Sequence, residues 1–111
     1  MSTTITQYGD VTVLAAKDDL AGDEVDSFVS KAAFCFDEGR RHIVIDCAAV
    51  GTFDSAALEA LIDLHTKCES DLGAVKLCGL DANCSKILEM TRLSRRFEEF
   101  DTLESAVKSF A

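Results

Sequence analysis

His42-Ile43-Val44-Ile45-Asp46-Cys47 leads through Ala48-Ala49-Val50-Gly51 to Thr52-Phe53-Asp54-Ser55-Ala56-Ala57-Leu58. Ile43 to Ile45 is a run of β-branched residues with no polar position, the pattern of a strand covered on both faces. A loop from Ala48 to Phe53 follows. Asp54 and Ser55, both favoured N-caps, then open a helix that runs to about Asp71. Leu58, Leu61, Ile62, His65 and Cys68 recur along it at helical spacing. A doubly buried strand feeding a helix belongs to an α/β sheet with parallel neighbours and right-handed crossovers.

The flanking sequence extends that unit in both directions. Thr3 to Tyr8 and Val11 to Ala16 alternate apolar and polar residues around Gly9-Asp10, which predicts a β-hairpin. Val25, Phe28, Val29, Ala32, Cys35 and Phe36 mark a helix, with Asp23, Glu24 and Asp26 in its first turn and Gly39 after its last. Beyond the central unit, Ala74 to Cys78 is a second buried strand ended by Gly79. Asp81 caps a third helix that buries Cys84, Ile87 and Leu88. Arg96 to Phe100 forms a short edge strand. Asp101 and Glu104, at capping-box spacing, start a last helix with Leu103, Ala106, Val107 and Phe110 on one face. The predicted architecture is a mixed sheet of about five strands, with an N-terminal hairpin, parallel core strands and four helices.

The chain has 111 residues, which suits one domain spanning 1–111. Twenty acidic against 11 basic side chains give a net charge of −9, which disfavours nucleic acid and anionic lipid. No apolar run reaches membrane-spanning length, and Met1-Ser2-Thr3-Thr4 does not open a secretory signal. Five cysteines, an odd number without a C-x-x-C pair, fit reduced thiols in the cytoplasm. Cys35, Cys47 and Cys78 sit in apolar stretches as core residues. His65 and Cys68 lie three apart on a helix, but two ligands do not close a metal site, so no metal and no cofactor are expected. His42, beside Arg40 and Arg41, reads as a solvated turn residue.

In parallel sheets, function collects in loops beyond the carboxyl ends of the strands. The loop ending at Asp54-Ser55 is such a place, and the loop with Asp18 and Asp19 is its expected neighbour. Ser55 offers a hydroxyl at a helix N-terminus, where free N–H groups and the dipole tolerate a phosphate. A phosphoryl group there adds about −1.5 to −2 charge beside Asp54 and Asp19, enough to spoil a partner's docking surface without refolding.

These segments resemble the STAS domain family, and within it the small single-domain anti-sigma-factor antagonists. The resemblance runs through the strand and switch segment from His42 to Leu58, through Val75-Lys76-Leu77-Cys78-Gly79-Leu80, and through Leu93, Phe97, Phe100-Asp101-Thr102-Leu103 and Ala106. It implies a STAS-like fold and a non-enzymatic binding module. It also implies that Ser55 is the phosphoacceptor of an anti-sigma-factor serine kinase of histidine-kinase-like ATPase type, and the substrate of a serine phosphatase. The unphosphorylated form binds that kinase and releases a sigma factor. Asp19, Thr52, Phe53, Asp54, Ala56 and Glu59 are the implied partner-binding residues. Ala56 stands where the family can have a second Ser, and Ala57 departs from the family's usual Gly.

Two other readings compete. A receiver domain needs a phosphoaspartate at a strand end and a lysine after the last strand, whereas Asp54 opens a helix and Asp101-Thr102 follows the last strand. A hydrolase built on Ser55 lacks both a Gly-x-Ser-x-Gly elbow and a suitably placed histidine. Within the family, the alternative role is an accessory subunit of a lipid-transporting ABC system. Such a subunit docks constitutively on its ATPase, which the Ala56-Ala57 pair and an apolar surface around Phe53 would suit.

Overall fold

The computed structural model describes residues 3–110. Strands β1 (Thr3–Tyr8) and β2 (Val11–Ala16) form the hairpin, followed by helix α1 (Asp23–Asp37), strand β3 (His42–Asp46) and helix α2 (Ser55–Ser70). Strand β4 (Ala74–Cys78), helix α3 (Ala82–Met90), a single 3-10 turn at Leu93–Arg95, strand β5 (Glu98–Phe100) and helix α4 (Leu103–Lys108) complete the order. One sheet runs β1-β2-β3-β4-β5, antiparallel at the hairpin and parallel thereafter. This is the predicted mixed α/β architecture, and β5 is the edge strand that Glu98 and Glu99 suggested.

Side chains alternate across the parallel strands. Leu14, Ile45 and Leu77 enter the larger core with Val25, Phe28, Leu61, Leu64 and Leu88 from α1, α2 and α3. Val13, Val44 and Cys78 face the other way, onto Ala106, Leu103 and Val107 of α4. Three helices therefore cover one face and a single short helix the other. Each fully buried Leu or Ile on the three-helix side contributes about 1.5–3 kcal/mol.

Four local expectations are corrected. The buried face of α2 is Ala57, Leu61, Leu64, His65 and Cys68, while Leu58 and Ile62 are half-buried on its flank. Val29 of α1 is 45% exposed. The last strand begins at Glu98, because a 3-10 turn consumes the preceding residues and Phe97 drops into the core. Helix α4 is capped by Thr102, whose side chain accepts from the Ser105 N–H, so the expected Asp101 cap lies one residue early.

His42 is also not a free turn residue. Its ring stacks on Phe110 with centroids 5.0 Å apart and planes 13° from parallel. The other side chain holding this end of α4 is Lys76, whose Nζ lies 4.1 Å from the Phe110 ring centroid and 2.9 Å from Ser109 Oγ.

Candidate functional site

The loops leaving β2 and β3 are joined by a one-residue parallel bridge between Leu20 and Phe53. The Leu20 N–H donates to the Thr52 carbonyl at 3.1 Å, and the Asp54 N–H donates to the Leu20 carbonyl at 3.0 Å. Both apolar side chains go inward: Leu20 is 1% exposed and Phe53 5%. Phe53 therefore supports the site from beneath and presents no apolar surface to a partner.

Asp54 is the N-cap of α2, with φ −92° and ψ 177°. Its Oδ1 accepts the Ala57 N–H at 2.8 Å, and its Oδ2 accepts the Gly22 N–H at 2.9 Å, ahead of α1. One carboxylate thus caps one helix and ties down the approach to another. The N–H groups of Gly22, and then of Ala57, hold its carboxyl below the ordinary carboxylate range. With both oxygens engaged by backbone donors, Asp54 is not poised as a phosphoaspartate.

Two further side chains fix the loop at Gly51. Asp19 Oδ1 accepts the Gly51 N–H at 2.7 Å, and Asn83 Nδ2 donates to the Gly51 carbonyl at 2.7 Å. A side chain at position 51 would crowd this arrangement, since a Cβ there would lie 2.9 Å from Asp19 Oδ1. Beneath the loop, Cys84 Sγ contacts the Val50 carbonyl at 3.4 Å and the Cys47 N–H donates to the Cys78 carbonyl.

Ser55 is the first residue of α2 and is exposed, and no described residue hydrogen-bonds its Oγ. Asp54 alone supplies the side-chain cap, which leaves the Ser55 hydroxyl free for chemistry. Ala56 is exposed beside it. Glu59, four residues on and therefore a neighbour on the helix surface, is exposed too. Thr52 is half-buried and contributes its carbonyl to the inter-loop bridge. Ala57 is 1% exposed, so its methyl fills core space and does not obstruct an approaching molecule.

Of the expected site residues, the structure gathers Asp19, Thr52, Asp54, Ser55, Ala56 and Glu59 at one end of the sheet and sends Phe53 inward. Gly22, Gly51 and Asn83 were not anticipated. Each holds the site through a hydrogen bond between residues 32 positions apart, which leaves no local sequence signature.

The remaining reactive groups are structural. All five cysteines are free and buried. Burial pushes Cys78 and Cys84 up to about 12 and Cys68 to about 11, so these thiols stay protonated and inert. His65 Nδ1 accepts the Val75 N–H at 3.2 Å while its Nε2 lies 3.4 Å from Glu69 Oε2. Both ring nitrogens are therefore engaged away from Cys68. No group of three or more potential metal ligands occurs among the described residues. Nor is any helix among them long and apolar enough to cross a membrane.

A hairpin-led five-stranded sheet, with three helices on one face and one on the other, is the arrangement of a STAS domain. The profile of the STAS domain family matches residues 2–106, and the chain belongs to that family. Among solved structures it is similar to an anti-sigma-factor antagonist (STAS) domain protein from Planctomyces limnophilus, at 22% identity, 100% and 99% coverage of the two chains, and a TM-score of 0.88. An anti-sigma factor antagonist from Mycobacterium paratuberculosis has 17% identity, 97% and 92% coverage and a TM-score of 0.88. The phosphorylated form of the Bacillus cell fate determinant SpoIIAA has 14% identity, 99% and 100% coverage and a TM-score of 0.78. At such identities the likeness is one of fold. No curated protein matches the sequence.

Proposed function

We propose that the chain acts as a single STAS domain in the cytoplasm, an anti-sigma-factor antagonist switched by phosphorylation of Ser55 and without catalytic activity of its own. In its unphosphorylated form it binds an anti-sigma-factor serine kinase of histidine-kinase-like ATPase type and so releases a sigma factor. A serine phosphatase resets it. The observation that carries this reading is the free, exposed Ser55 hydroxyl beside an Asp54 that already caps the helix.

The chemistry follows from that division of labour. Because Asp54 holds the helix start, a phosphate on Ser55 replaces no structural hydrogen bond. It adds about −1.5 to −2 charge to a surface that already carries Asp54, Asp19 and Glu59. The fold stays as it is and the docking surface changes sign of preference, from accepting the kinase to repelling it. Of the apolar residues that the accessory-subunit reading uses, Phe53 and Ala57 are buried while Ala56 is exposed, so that reading is not better supported.

Co-expression with the kinase, followed by intact-mass measurement, tests the reading. Wild type gains one phosphate and Ser55→Ala gains none. Ser55→Asp weakens kinase binding and leaves the thermal melt nearly unchanged. A large fall in melting temperature for Ser55→Asp would make Ser55 a structural residue and remove the proposal.

A further inference from the structure

We propose that His65 is a proton-sensitive latch: its neutral ring holds the 3-10 turn and β5 against β4, and its protonation lets that edge of the sheet open. His65 lies on α2 and is 5% exposed. Phe97, itself buried, covers it with ring centroids 4.9 Å apart and planes tilted by 48°. Strand β5 has three residues and pairs with Lys76, Leu77 and Cys78 of β4.

The latch follows from where β5 begins. Along a parallel strand, successive residues direct their backbone groups to opposite neighbours. The Ala74 N–H donates to the Arg41 carbonyl just ahead of β3, and the Gly79 N–H donates to the Phe100 carbonyl at the end of β5. Val75, Leu77 and Gly79 therefore face β5, while Ala74, Lys76 and Cys78 face β3. Pairing with β5 starts one residue beyond Val75, at Lys76 opposite Glu98. The Val75 N–H is met instead by His65 Nδ1, at 3.2 Å.

That bond requires a lone pair on Nδ1, so the ring is neutral with its proton on Nε2, which lies 3.4 Å from Glu69 Oε2. A second proton has to go to Nδ1. It sets donor against donor at Val75 and places a charge where the ring is nearly enclosed. Both costs are relieved when the turn and β5 lift away and water enters. A three-residue edge strand opens locally more readily than the strands behind it.

The charged groups around the ring fix the direction. Glu69 on α2 favours the protonated ring, and Arg96, at the end of the 3-10 turn, opposes it. Cys68, on the same buried face of α2, is pushed up to about 11 and stays neutral. Glu99 of β5, paired with Leu77, is held above the ordinary carboxylate range by burial and by Glu89. Its protonation favours the folded state as pH falls, so it works against opening. Lys76 lies on the other face of the sheet, against Phe110.

Amide exchange of the full chain by NMR, expressed as protection factors along a pH titration in which the His65 ring reports its own midpoint, reads the latch. As pH falls through that midpoint, Val75, Leu77 and Gly79 should lose protection by about tenfold or more, whereas Lys76 and Cys78 in the same stretch should keep theirs. His65→Gln has an amide oxygen that can accept from the Val75 N–H and does not titrate, so it should hold all these amides throughout. Protection at Val75, Leu77 and Gly79 that outlasts protonation of the ring would overturn the proposal. So would a His65→Gln chain that still opens with acid, or loss of Lys76 and Cys78 together with the other three. A ring that stays neutral until the whole sheet unfolds would overturn it as well.

Discussion

Two helices start at the same end of the sheet from almost identical caps. Asp54 opens α2 with ψ 177° and accepts the Ala57 N–H at 2.8 Å, and Asp81 opens α3 with ψ 177° and accepts the Cys84 N–H at 2.8 Å. The residues around the caps differ. Asp54 uses its second oxygen to bind Gly22 across the loops and is followed by an exposed serine. Asp81 is followed by Ala82 and by Asn83, which turns its amide onto Gly51. The same capping physics thus gives a presented hydroxyl in one case and a brace for the presenting loop in the other. An aspartate cap is by itself no sign of function; a free hydroxyl on a loop tied down from two sides is a more specific one.

The comparison is broken or sharpened most strongly by moving the serine. Ser55→Ala should abolish phosphate incorporation by the kinase, while Ala82→Ser, which recreates Asp-Ser at the start of α3, should acquire none by phosphopeptide mapping. Removing the caps has the next largest effect. Asp81→Ala should cost about 1 kcal/mol, and so lower the melting temperature by about 4 °C. Asp54→Ala should lower it further, because the Gly22 N–H loses its acceptor as well.

Acid titration follows from the same bonds. Hydrogen bonds from Gly22 and Ala57 hold the folded-state pKa of Asp54 below its ordinary 3.8. Its ionised form therefore stabilises the fold above the unfolded pKa, and that contribution is lost as pH falls through the folded pKa. Asp54→Asn should flatten this acid limb of the melting curve relative to wild type. His65 supplies a separate limb, because burial lowers it from 6.5. Stability is retained above that pH and falls as pH drops through the folded pKa, and His65→Gln should remove that slope. The smallest effect belongs to the brace. Asn83→Ala should cost about 1 kcal/mol or less, visible as faster exchange of the loop amides rather than as a change in the global melt.

Most of the architecture was legible because it rests on local patterns. The β-branched run at Ile43 to Ile45, the Gly9-Asp10 turn and the Asp81 cap each announce an element within a few residues. The errors arose where distant packing decides. Phe53 reads as a loop aromatic, yet its pairing with Leu20 draws it inward. Leu58 and Ile62 fit a helical stripe as well as Ala57 and Leu64 do, and only the placement of α2 against sheet and α1 selects between them. His42 meets Phe110 from the other end of the chain, and the left-handed Arg92 that starts the 3-10 turn carries no glycine to announce it. At the site, Ser55 and its acidic neighbours were visible as residues, whereas the hydrogen bonds that hold the loop rigid cross between chain segments too far apart to be read from spacing.

The most direct test is phosphopeptide mapping of the protein recovered from cells that contain its kinase. A single phosphate on residue 55, absent from every preparation in which kinase and chain remain bound together, is the predicted result. Phosphate on another residue, or a stable complex with the kinase whose chain carries the modification at Ser55, would contradict the switch.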